Sequence, residues 1–316
     1  MSPSKSTSCD GAIFPFECGP SYSKYQHWLE THYEQCIGAI VAYIVVIYFG
    51  QKLMVEKKPF RLSRSLFVWN LFLALFSIFG AYRFWEESIY LYIEGGYQRL
   101  LCDNSVDRIR SFWTFAFALS KIVEFGDTVF LILRKRPVIF LHWYHHITVL
   151  LFTWHACAQQ AAFGRLFMLM NYTVHSIMYT YYALASIGIR TPKFISMSIT
   201  TMQILQMIGG LAAVLHVRSQ LMTGNSCAVR QEIIASGLLM YGSYFVLFVK
   251  FFINAYVFKK NVEKSAKSSI CHSSDVCNSL PAPSIQQRLP LDDKSIDSNY
   301  NFLSCNVCVN GKSKCL

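Results

Sequence analysis

The chain is poor in charge. Of its 316 residues only 15% are Asp, Glu, Lys or Arg, while 53% are hydrophobic. A soluble domain carries about a quarter charged residues. That shortage excludes an ordinary soluble enzyme, and a mean hydropathy of +0.31 points instead to a polytopic helical membrane protein. Acids are the scarcer sign, 18 against 29 bases, which leaves a formal charge of +11. The excess base does not indicate nucleic acid, because it sits beside apolar runs, where membrane topology concentrates it. The first 24 residues also lack an apolar signal core. No cleavable signal peptide is expected, and the first span is left to act as the targeting signal.

What the chain has instead is apolar length. Seven stretches of near 20 residues run roughly 36–54, 65–83, 111–133, 138–156, 161–187, 194–217 and 232–258. Each is long enough for a transmembrane helix, so the expected class is an all-α polytopic membrane protein with seven transmembrane helices. Only Arg134, Lys135, Arg136 and Pro137 separate the third and fourth stretches, which makes those two antiparallel neighbours. From residue 259 the chain is rich in Ser, Asn, Pro and Lys without helical period, a composition that predicts disorder. The expected organisation is an N-terminal segment (1–33), a seven-helix domain (34–258) and a tail (259–316).

Base distribution sets the orientation. Lys52, Lys57, Lys58, Arg61 and Arg64 lie in the first loop, Arg134, Lys135 and Arg136 in the third, Arg190 and Lys193 in the fifth, and Lys259, Lys260, Lys264 and Lys267 open the tail. The alternate loops are poorer in base. These patterns predict a luminal N-terminus and a cytosolic C-terminus.

Residues 142–146 read His-Trp-Tyr-His-His inside the fourth stretch. Ionisable groups at membrane depth are functional-site candidates by default. On a helix His142, His145 and His146 share one face. The third stretch carries Lys121, Glu124 and Asp127 at three-residue intervals, with Thr128 adjacent. They are expected to form one stripe and neutralise one another. The fifth carries Asn171, His175 and Tyr179, the sixth Gln203 and Gln206. Counted at the helical rise from the basic ends, Asp127 falls at roughly 9 Å depth, the paired histidines at roughly 6–11 Å, and Lys121, His175 and the glutamines at roughly 14–18 Å. Four helices therefore place polar groups in one slab that lipid cannot solvate, so the groups must face an internal cavity. The other halves of these spans are apolar, as at Leu150, Leu151, Phe152 and Leu211. A polar chamber over an apolar blind tunnel suits a long acyl chain with a charged head.

Membrane di-iron oxidoreductases also use a His-x-x-His-His box, but their metal pair needs about eight imidazoles. Here five of the nine histidines fall elsewhere: His27, His32, His155, His216 and His272. Four in the slab favour no metal. A neutral imidazole in a dry pocket is a nucleophile toward thioesters, and a second His with Asn171 could stabilise an enolate or oxyanion. A seven-span receptor or transporter has no need of such a slab.

Taken in series, Lys121-x-x-Glu124-x-x-Asp127-Thr128, His142-x-x-His145-His146, Asn171-Tyr172-x-x-His175-x-x-Met178-Tyr179 and Thr201-x-Gln203-x-x-Gln206 resemble the very-long-chain fatty acid elongases, the 3-oxoacyl-CoA synthases. The Trp-Tyr pair within the box is similar to the branch acting on saturated and monounsaturated chains. The resemblance implies a seven-helix fold with six helices around a substrate tunnel. It also implies decarboxylative condensation of acyl-CoA with malonyl-CoA to 3-oxoacyl-CoA, CO2 and CoA, with no bound cofactor and no metal. Carried onto this chain, it makes His145 the acyl acceptor, with His142 and His146 as its base and orienting partners. His175 and Asn171 act on the malonyl-derived enolate, and Lys121, Glu124 and Asp127 position the histidines. Tyr179, Gln203 and Gln206 complete the polar layer.

The phosphates of CoA should meet base at the cytosolic mouth, where Arg134, Lys135, Arg136, Lys193 and Lys259 are candidates. Cys102 and Cys227 fall in different luminal loops and are expected to pair; Cys9 and Cys18 are also luminal and could pair instead. The tail's Cys271, Cys277, Cys305, Cys308 and Cys315 are expected to be free thiols. Lys312 and Lys314 resemble a retrieval signal, which with the chemistry implies the endoplasmic reticulum membrane. Expected partners are the bilayer, the two CoA esters, the other enzymes of the elongation cycle and a second copy in a homodimer, with no nucleic acid.

Overall fold

The computed structural model describes residues 12–18, 20, 22–104 and 108–258. The chain divides into two compact units, 1–263 and 264–316. The second unit, the tail cysteines, Lys259, Cys9 and the retrieval-like lysines all lie outside the described residues. Among those residues the fold is all-helical. Its helices are α1 (Tyr22–Thr31), α2 (Tyr33–Met54), α3 (Ser63–Cys102), α4 (Arg108–Val123), α5 (Gly126–Leu133), α6 (Phe140–Ala158), α7 (Gly164–Ser186), α8 (Lys193–Met222) and α9 (Gln231–Phe252). A π-helical turn, Ile253–Phe258, extends α9.

Burial is inverted relative to a soluble protein. α2 has a mean hydropathy of 1.8 over its most apolar window, yet only 11% of that window is buried. Ile37, Val41, Ile44, Tyr48 and Phe49 point outward. An apolar outer surface of this kind is stable only against lipid. Four helices are long and apolar enough to cross a membrane: α2, α3, α8, and α9 with its π-helical turn. α6 and α7, with 19 and 23 residues, carry the polar slab and fall outside that set.

Three boundaries differ from the sequence reading. α3 runs 40 residues, far past residue 83, and breaks only at Gly95–Gly96, where Gly96 has φ 62. The N-terminal segment contains a helix, α1, which packs on α6 with the Trp154 indole donating to the Leu29 carbonyl at 2.9 Å. The stretch 111–133 is two helices. At Glu124–Phe125 the bonding tightens to i→i−3, with Phe125 N–H to Ile122 O and Asp127 N–H to Glu124 O, both 3.1 Å. The polar stripe expected over Lys121, Glu124 and Asp127 is broken there, and Asp127 turns to other partners.

Close approaches at glycine hold the bundle. A side chain at Gly80 of α3 would overlap the Tyr172 ring of α7, and one at Gly126 would overlap the Trp69 ring. At the end remote from the basic loops Cys102 and Cys227 form a disulfide. Backbone bonds from Ala228 N–H to Cys102 O (3.2 Å) and Ala162 N–H to Ala228 O (3.1 Å) lace the loops beside it. Cys18 is disulfide-bonded as well. The short helical turn Pro15–Glu17 carries Glu17 into a buried pairing with Arg83.

Candidate active site

A cavity of about 590 Å³ opens among α3, α5, α6, α7, α8 and α9. All five residues expected to be catalytic line it: His142, His145, His146, Asn171 and His175. So do Glu124, Asp127, Tyr179, Gln203 and Gln206. Lys121 stands behind the wall, 1% exposed, and acts through neighbours.

The Lys121 ammonium donates to Glu124 Oε1 at 2.7 Å and to Asn171 Oδ1 at 2.9 Å. An ammonium can only donate, so it fixes the Asn171 amide with oxygen toward Lys121 and nitrogen toward His175. Asn171 Nδ2 then donates to His175 Nε2 at 3.2 Å. That leaves His175 protonated on Nδ1, which faces Glu124 Oε1 at 3.8 Å. The order Lys121, Asn171, His175, Glu124 closes a ring of polar groups between α4 and α7. Glu124 Oε2 and His146 Nδ1 are buried without a partner among the described residues. Buried unpaired atoms are rare in native structures, and they concentrate where a ligand or reaction uses them.

Asp127 makes no direct bond to a histidine among the described residues, and reaches His175 only through Tyr179, whose ring lies 5.4 Å from that of His175. Its carboxylate accepts from Trp69 Nε1 at 2.6 Å and from the Tyr179 hydroxyl at 2.8 Å, tying α5 to α3 and α7. The helix break between Glu124 and Gly126 is the reason.

On α6 the box does share one face. The His142 and His146 rings lie 4.5 Å apart, and those of His145 and His146 5.5 Å. His145 makes no ring hydrogen bond among the described residues; its ring packs on Tyr244 at 5.0 Å. The Tyr244 hydroxyl meets the His145 carbonyl at 3.2 Å and Thr148 Oγ1 at 2.6 Å, which fixes that turn of α6. Of the partners expected for His145, His142 has Nε2 held by Thr128 at 2.8 Å, and neither His142 nor His146 hydrogen-bonds the His145 ring among the described residues.

Of the CoA candidates Arg134 lines the cavity. Lys135, Arg136 and Lys193 do not. Lys135 takes φ 53 just past α5 and spends its ammonium on the Val55 carbonyl at 2.8 Å. Arg136 and Lys193 are exposed beyond the rim. Several lining residues escaped the sequence reading: Asn70, Tyr182, Ser196, Thr200 and Tyr256. Thr200 and Ser196 precede Gln203 by three and seven residues, so helical spacing alone could have placed them on its face. Thr201, part of the quoted motif, points outward and bonds back to Met197 O. Among the described residues no three His, Cys, Asp or Glu stand close enough to hold a metal ion.

Residues 28–264 match the model of the GNS1/SUR4 family (ELO). The chain is 43% identical over 252 residues to putative fatty acid elongase 3 of Caenorhabditis elegans, covering 79% of each chain. It is 42% identical over 250 residues to very long chain fatty acid elongase 6 of Drosophila melanogaster, covering 78% of this chain and 79% of the relative. Against very long chain fatty acid elongase 3 of Mus musculus it is 40% identical over 243 residues, 75% of this chain and 88% of the relative. The histidine-lined cavity and these matches agree: the chain is a multi-pass membrane protein of the ELO (GNS1/SUR4) family of fatty acid elongases.

Proposed function

We propose that the protein is the condensing enzyme of fatty acid elongation, a 3-oxoacyl-CoA synthase joining a saturated or monounsaturated long-chain acyl-CoA to malonyl-CoA. One observation carries the reading: three imidazoles of α6 face Asn171 and His175 of α7 across a single cavity. The α7 pair is wired to a buried Lys121–Glu124 ion pair.

His145 attacks the acyl thioester through an unprotonated ring nitrogen. A C–N bond forms, the C–S bond breaks and CoA leaves as the thiol, taking the imidazole proton. Malonyl-CoA then enters. Loss of CO2 breaks its C–C bond and leaves the electron pair as an enolate thioester. The enolate carbon attacks the acyl-imidazole, forming the new C–C bond and breaking the C–N bond; the departing His145 ring takes up one proton from water, and 3-oxoacyl-CoA is released. His175 and Asn171 steady the enolate oxygen, in the manner of an oxyanion hole. Arg134 is the candidate cation at the mouth for CoA phosphate. No bound cofactor or metal is needed.

The membrane reading is seven spans, with α4–α5, α6 and α7 added to the four apolar helices. The basic loops are cytosolic, the N-terminus is luminal, and the location is the endoplasmic reticulum. Other enzymes of the cycle and a second copy of the chain are the proposed protein partners. The decisive test incubates purified protein with palmitoyl-CoA and malonyl-CoA. Malonyl-CoA-dependent release of CoA with formation of the 3-oxoacyl product is expected. CoA release that continues beyond one equivalent per chain without malonyl-CoA, or iron at two atoms per chain, would sink the proposal.

A further inference from the structure

One hydrogen-bond chain reaches the site from a helix that does not line it. Tyr43 of α2 is 3% exposed, stacks on Phe125 at 4.1 Å between centroids, and is absent from the cavity wall. Its hydroxyl lies 2.8 Å from Thr128 Oγ1. Thr128 Oγ1 in turn lies 2.8 Å from His142 Nε2.

Distances alone give this chain no direction, but the count of protons does. The Tyr43 hydroxyl has no other partner among the described residues. If it only accepted, its proton would be left unpaired against apolar surroundings. Tyr43 must therefore donate to Thr128. Thr128 owns one proton. Thr148 and Thr173, also helical, each spend theirs on a carbonyl one turn back, on Tyr144 and Leu169, both at 2.7 Å. Thr128 makes no such bond among the described residues, so its proton goes to His142 Nε2. Every hydroxyl proton is satisfied only in the order Tyr43 to Thr128 to His142.

An Nε2 that accepts forces the neutral ring to carry its proton on Nδ1. His142 Nδ1 is not among the polar atoms that are sealed without a partner, and the ring lines the cavity. We propose that Tyr43 and Thr128 lock His142 in the Nδ1–H form, so that it meets the substrate as a hydrogen-bond donor to the thioester carbonyl oxygen rather than as a base. The identity of that acceptor rests on the elongase reading; the tautomer does not. Tyr43 and Thr128 are positioning residues, and the group that touches substrate is His142.

The test is a long-range proton–nitrogen spectrum of the full-length protein in detergent, with its histidine rings labelled and His142 assigned by its loss in His142→Asn. A proton on Nδ1 and a bare Nε2 are expected; a proton on Nε2, or averaging between the two nitrogens, overturns the lock. Kinetics give the second arm. Tyr43→Phe and Thr128→Val should each lower kcat about three- to tenfold, the effect of one lost hydrogen bond, with KM for palmitoyl-CoA unmoved, while Thr128→Ser keeps the wild-type rate. Unchanged kcat in both Tyr43→Phe and Thr128→Val, or an equal loss in Thr128→Ser, rejects the positioning role. Should a variant fail to fold, the wild-type spectrum still decides. Absence of wild-type turnover would count against the elongase reading, whereas the tautomer is read without turnover.

Discussion

Lys121 donates to the side-chain oxygen of Asn171, 2.9 Å away and 50 residues later in the chain. The bond joins α4 to α7 and decides which end of the Asn171 amide faces His175. It also offsets the charge of Glu124 inside a wall where neither group reaches solvent.

Lys121→Met should therefore do double damage. Removing one partner of a buried pair leaves the other charged and uncompensated, at about 3–5 kcal/mol. The freed Asn171 amide no longer holds His175 in one form. Condensation should fall below detection and the unfolding temperature in detergent should drop. A Lys121→Met protein with wild-type stability would contradict the network.

Arg134 separates from its basic neighbours. Arg134→Ala should raise KM for acyl-CoA about tenfold, as for loss of a charge-assisted hydrogen bond, with kcat little changed. Lys135→Ala and Arg136→Ala should leave KM where it was. Equal effects at all three positions would mean that general surface charge, not the cavity wall, attracts CoA.

Glu17 predicts a pH dependence outside the spans. Burial by itself would raise its carboxyl. Hydrogen bonds from Arg83, Trp113 and the amides of Phe14 and Ile13 outweigh it and hold the group at about 2, below the ordinary 4.5. A depressed carboxylate stabilises fully above its unfolded value, and that contribution is lost as pH falls from 4.5 toward 2. Glu17→Gln should cost about 3 kcal/mol at pH 7. The gap in melting temperature between the two proteins should narrow below pH 4.5. A gap that is constant with pH would show that the carboxylate charge is irrelevant.

The Cys102–Cys227 bond spans 125 residues of sequence. Cys102→Ser should lower stability by about 2–5 kcal/mol and free a thiol that labels at Cys227. Since neither cysteine lines the cavity that holds His142, His145, His146 and His175, kcat should change little in the protein that survives purification.

Much of this was legible in the chain. Apolar length gave an all-helical fold though not every helix or its bounds, and residues three and four apart gave the faces of α6 and α7, because both signals are local. The break after Val123 was not legible. No proline marks it, and Glu124 keeps the three-residue polar spacing from Lys121 to Asp127, yet it is what sends Asp127 to Trp69 and Tyr179. Nor could spacing find Tyr43, Trp69 or Tyr256, which lie far from the motifs in sequence and on otherwise apolar segments.

The chain by itself determined that the polar groups of its apolar helices would turn inward to one cavity, because an apolar surround leaves ionisable side chains nowhere else to go. Only the tertiary structure decided which of them touch. Hydrogen bonds act over about 3 Å, and a contact that short depends on how helices rotate and cross, which the order of residues along each one does not specify.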